Sequence, residues 1–196
     1  MEFTQNRNIK YIAALLFLTV ASQAIYTLLY VAAKDVPRQW LWGLEGLLFV
    51  LLAAIAGAAL VQAKDHALGY SAIFASALLN LIQVGIGLTQ FGPFREAAQS
   101  VEAIAPAAGS VVALSFFIYN AAKILLGIAA IVFGTAISQA GSAGLGKLTV
   151  FLGFVAIVTN SIVMMFGRIG AVPSGATGVI ATLFLAICFL KLRSED

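Results

Sequence analysis

Six apolar stretches, each about 20 residues or longer, fill this chain, and each can cross a hydrocarbon core about 30 Å thick. They run over Tyr11 to Ala33, Leu41 to Gln62, Leu68 to Phe91, Val111 to Ile137, Leu148 to Phe166 and Pro173 to Leu192. Lipid offers no partner to a backbone N–H or C=O, so a segment of this kind must satisfy its own backbone, and a helix does so within one segment. The sequence therefore predicts an all-α integral membrane bundle of six transmembrane helices, forming a single domain over residues 1–196. Its one sizeable extramembrane segment, Gly92 to Ser110, carries Phe94, Ala97, Ala98 and Val101 on one helical face and Pro106 as a breaker. A short interfacial helix is expected there, between helices 3 and 4.

Composition agrees with a membrane protein. Apolar residues make up 62% and charged residues 10%, and the mean hydropathy is +1.03, far from the balance of soluble domains. A net charge of +3 does not point to nucleic acid, because the basic residues are scattered singly over helix ends instead of gathered on one face. One cysteine, Cys188, excludes an internal disulfide, and one histidine, His66, excludes a bis-histidine haem or a histidine-rich metal cluster. No cofactor is called for. Arg7 and Lys10 ahead of an apolar run, with Ser22-Gln23-Ala24 further on, resemble a signal peptide and its cleavage site. The apolar character continues well past those residues, which favours a first membrane helix.

An even number of spans puts both termini on one side. Arg7, Lys10, Lys64, Lys147, Lys191 and Arg193 gather there, against Lys34, Arg38, Arg95 and Arg168 on the other. By the positive-inside rule the termini face the cytoplasm of a cell (inner) membrane.

Polar residues inside the spans mark where function or packing is decided. In helix 1, Thr19, Gln23, Tyr26 and Tyr30 form a mildly polar stripe. In helix 3, Ser76, Asn80, Gln83, Gly87 and Gln90 share one stripe, and helix 4 repeats the pattern with Asn120, Lys123, Gly127 and Gly134; Asn160 continues it in helix 5. Such stripes serve either as glue between helices or as the lining of a site. Lys123 stands out because an unpaired ammonium deep in a bilayer costs about 2.5 to 3.5 kcal/mol on insertion scales. Glu45 is the one acidic residue placed within a membrane segment and enters from the side where helix 4 begins, so Lys123 and Glu45 could meet if helices 2 and 4 adjoin. The candidate ligand-binding residues are Glu45, Asn80, Gln83, Asn120, Lys123 and Asn160. The run Gly141 to Lys147 imitates a phosphate loop, but Leu148 stands where that loop needs Ser or Thr and no strand can precede it.

Three classes of function remain. A protein that binds or transports a small solute or ion would line its path with the stripes of helices 3 and 4. An accessory or assembly subunit would meet a membrane partner, or a second copy, through Gly/Ala faces. An intramembrane enzyme would need Lys123 or Glu45 as acid, base or nucleophile, and no catalytic spacing accompanies them.

Overall fold

A computed structural model describes residues 4–32, 39–167 and 174–192. Six long helices carry the chain: α1 (Gln5–Val31), α2 (Gln39–Gln62), α3 (Ala67–Ser100), α4 (Ala105–Gln139), α5 (Ala143–Phe166) and α6 (Ser174–Lys191). All six are long and apolar enough to cross a membrane, and no strand occurs among the described residues. Ala33, Lys34, Arg38, Arg168, Pro173 and Arg193, which entered the charge and boundary arguments above, lie outside the described residues.

The separate interfacial helix is not found. Instead α3 continues through Pro93 to Ser100, a single 3₁₀ turn spans Glu102–Ile104, and α4 begins at Ala105. Two local features explain the difference. A proline restricts the residue before it partly through a clash with that residue's Cβ, and here that residue is Gly92, which has none. Pro106 sits in the first turn of α4, where its missing N–H has no helical partner to lose; it opens a helix rather than closing one. The phosphate-loop look-alike also resolves, because residues from Ala143 onward already belong to α5.

Helices α1, α2, α3, α4 and α6 close into a ring, each packed on two ring neighbours, while α5 lies outside it against α4 and α6. One end of the bundle is a core of interlocked rings: Tyr70 stands edge-on to Phe133 at 5.0 Å and Phe133 leans on Phe189 at 4.5 Å. The same end ties α1 to α2 through Asn8 Nδ2, which donates to Gln62 Oε1 at 2.9 Å. Toward the other end α1 lets go. Its buried residues stop at Ser22, and from Gln23 to Tyr30 none is buried.

The tightest contact is between α4 and α5, and glycine makes it. A Cβ added at Gly127 would lie 2.8 Å from the Gly153 carbonyl oxygen, and one at Gly153 would lie 2.7 Å from that of Gly127. Gly134 and Gly146 repeat the arrangement one heptad away, with an added Cβ on either meeting the other's carbonyl. Heptad spacing is the period at which two helices stay in register along a left-handed crossing, and small residues on that seam let the backbones meet.

Candidate functional site

Helix α4 touches three neighbours, and each side of it has its own chemistry. On the side of α3, Ser76 Oγ donates to the Ala122 carbonyl at 2.9 Å, and one heptad away Gln83 Nε2 donates to Ser115 Oγ at 3.3 Å. Asn80 is buried in this region and donates to the carbonyl and the hydroxyl of Ser76 at 2.9 and 3.3 Å. Gly87, the glycine of that stripe, is a shelf for Trp42: an added Cβ would stand 3.1 Å from the indole. The α3 stripe thus binds α3 to α4 and seats an α2 aromatic.

The α5 side continues the glycine seam. One heptad beyond the Gly127–Gly153 contact, the register sets Asn120 of α4 opposite Asn160 of α5. Both are buried. Each turns its amide nitrogen to the backbone carbonyl one turn earlier, Asn120 to Phe116 at 2.6 Å and Asn160 to Ala156 at 2.7 Å. Asn160 also reaches the Ser174 carbonyl at 3.3 Å, joining α5 to the start of α6. These two candidates belong to a packing seam.

The third side faces α6 and α1, and it holds Lys123, only 1% exposed. Gly178 of α6 makes the room: an added Cβ there would lie 2.8 Å from Cγ and Cδ of the lysine. The ammonium donates to Gln23 Oε1 of α1 at 2.9 Å and stands 5.0 Å from the centroid of the Tyr119 ring, within cation–π range. Lys123 and Glu45 do not pair directly, since no N–O approach within 4.0 Å links the two. They nonetheless attract each other through space, and Glu45 also acts electrostatically on Tyr119. Neither α1 nor α2 is a neighbour of α4 in the ring, so only a long side chain can cross to them, and the ammonium meets Gln23 of α1.

Glu45 itself is 6% exposed, and its Oε1 has no hydrogen-bond partner. Ser22 of α1 is the side chain nearest in kind, close enough to influence the carboxylate. Its hydroxyl, on a residue 3% exposed, lies close enough to help hold the carboxylate yet falls short of full hydrogen-bond geometry. Burying polar oxygens this way is costly. Above the cluster, at the end where α1 loosens, Tyr26 stacks on Trp42 at 5.6 Å and Trp42 meets Phe91 edge-on at 5.8 Å.

The structure therefore gathers Glu45 and Lys123 with Gln23, Ser22 and Tyr119, and distributes Asn80, Gln83, Asn120 and Asn160 over two packing seams. Gln23 stood in the α1 stripe, where one helix alone gave no reason to weigh it above its neighbours. Ser22 had no such signal. Two concavities of about 260 and 310 Å³ lie elsewhere, one at Pro93, Phe94, Ala97 and Ile104, the other at Thr135, Ser138, Gln139, Lys147 and Val150. Set against known proteins, the chain matches no family model, no curated protein and no solved structure.

Proposed function

We propose that this chain is a multi-pass membrane protein that binds or transports a small solute or ion at the Glu45–Lys123 cluster, with both termini cytoplasmic in a cell (inner) membrane. The observation that carries this reading is a pair of buried opposite charges on non-adjacent helices that do not bond each other, beside a carboxylate oxygen and a hydroxyl with no partner. A purely structural ion pair closes on itself, because leaving buried charges apart costs several kcal/mol (about 3–5 when one partner is lost altogether). Ionisable groups inside a membrane more often mark ion or substrate paths. The loosened outer half of α1 supplies the route from one face.

The test is flux and binding in proteoliposomes: uptake of labelled cations, amino acids and sugars, compared between the wild type, Glu45→Gln and Lys123→Met. Substrate-specific uptake that both replacements abolish while the protein stays monodisperse supports the proposal. Equal behaviour of wild type and both variants across the whole panel removes it.

A second reading, an accessory subunit, is favoured by Gly85 and Gly92, one heptad apart on α3, where an added Cβ meets nothing within 4 Å. Such a face admits a partner helix. Extraction from native membranes in mild detergent distinguishes it, because an accessory subunit elutes in a larger assembly of fixed composition and Gly85→Leu releases it.

A further inference from the structure

We infer that the cluster takes a monovalent metal cation, held by Glu45 Oε1 and Ser22 Oγ, in exchange for one proton released from Lys123. This deepens the reading of the cluster as a solute or ion site and rests on it. The two unpartnered atoms are both oxygens, one from a carboxylate, and both sit on side chains more than nine-tenths buried. Hard oxygen donors suit alkali cations, whereas an anion here would face the Glu45 carboxylate. Lys123 does not meet the carboxylate's demand, because its ammonium is turned to Gln23 and the Tyr119 face.

Charge decides the exchange. With Glu45 ionised and Lys123 protonated the buried cluster is neutral. A bound cation would leave it at +1 in a region of low dielectric, where repulsion is weakly screened. If the lysine gives its proton to water as the cation arrives, the cluster is neutral again: the cation replaces the ammonium as counter-charge, one H⁺ leaves, and no other bond changes. The surroundings offer few other groups to absorb the change. Tyr119 is titratable and feels the Glu45 charge, and Tyr26 lies above the cluster; α1 presents Ser22 and Gln23, and α6 presents Gly175 and Gly178, all uncharged. Among the described residues no group of three or more His, Cys, Asp or Glu forms, so a single carboxylate sets the charge and favours a monovalent ion over a divalent one. Gly178 packed on the lysine stem leaves room on that side for atoms rather than a metabolite.

Purified full-length protein in weakly buffered detergent, mixed with NaCl, KCl or, as an oversized control, choline chloride, reads the exchange directly through a pH indicator. The expected result is close to one proton released per chain with Na⁺ or K⁺ and none with choline. Glu45→Gln abolishes the release. Lys123→Arg abolishes it too, because a guanidinium keeps its proton while preserving the charge. Ser22→Ala, which removes a hydroxyl short of full hydrogen-bond geometry, leaves the fold unchanged and raises the half-saturating cation concentration about tenfold; it carries the test if the arginine variant does not fold. No proton release with any of these cations overturns the inference. If the same protein, reconstituted in proteoliposomes, then takes up an amino acid or sugar in a Glu45-dependent way, the site reading stands and only the cation exchange falls; if it takes up nothing, both fall.

Discussion

Two sides of α4 spend their polar residues in opposite ways. Toward α5, Asn120, Gly127 and Gly134 face Asn160, Gly153 and Gly146 in heptad register, and each asparagine donates to its own helix. Toward α6 and α1, Lys123 crosses to Gln23, while Glu45 and Ser22 keep oxygens unbonded. The α5 seam is closed by α4, α5 and the start of α6, with the side-chain oxygens of Asn120 and Asn160 left unbonded in it. The Lys123 side needs α1, α2, α4 and α6 together and still leaves demand over. The difference lies in charge: the seam buries neutral amides, whereas the cluster buries a carboxylate and an ammonium, which cost far more to take out of water.

The comparison can be broken most forcefully at the lysine. Lys123→Met leaves the Glu45 carboxylate buried without its counter-charge, so a loss of about 3–5 kcal/mol is expected. Adding Glu45→Gln should recover part of it, with a coupling of about 0.5–3 kcal/mol. Thermal melts of the single and double variants in detergent measure this, and strict additivity would show that the two charges ignore each other. Next in size comes the glycine seam. Gly153→Ala drives a methyl against the Gly127 carbonyl and should cost about 1–3 kcal/mol through overpacking, read as a lower melting temperature, with ion and solute binding retained by the fraction that folds. An unchanged melt would mean that the backbones do not touch there.

Smaller again is Asn160→Leu, which removes the bond to the Ser174 carbonyl. Interhelical bonds of this kind in membranes are worth about 0.6 kcal/mol on average. A loss of that order without any change in binding would confirm that Asn160 belongs to packing, whereas a binding defect would return it to the site. Smallest is Ser22→Ala. Its hydroxyl has no partner, so stability should change by less than about 0.5 kcal/mol or improve; a drop above 1 kcal/mol in the same melts would reveal a bond to that hydroxyl.

Much of the fold was legible because membrane helices write their length and period into the sequence. Six spans, the antiparallel turn near Lys64 and the stripes on α3 and α4 follow from apolar run length and 3.6-residue spacing. The site was only half legible. Glu45 and Lys123 were visible as costly charges, but a stripe says that a face is polar without saying which helix it meets. Asn120 and Lys123 are three residues apart and share a stripe, yet one faces α5 and the other α6 and α1. Ser22 carried no periodic signal, since one serine in an apolar helix looks the same whether it faces lipid or a carboxylate. Pro106 misled because it reads as a breaker that ends a helix, whereas in the first turn of α4 it opens one.

By itself, then, the sequence determined that this chain is helical, that six of its segments suit a bilayer, and that one lysine and one glutamate would be expensive wherever they fell. Those properties are local: hydrophobic length, backbone self-satisfaction and the price of desolvating a charge depend on no neighbour. Only the tertiary structure decided that α5 stands outside a ring of five, that Lys123 bonds to Gln23 instead of Glu45, and that Ser22 and Glu45 face each other without a bond. Such outcomes depend on which helices adjoin, and that is set by close contacts between glycines far apart in the chain, whose partners no spacing along a single helix can name.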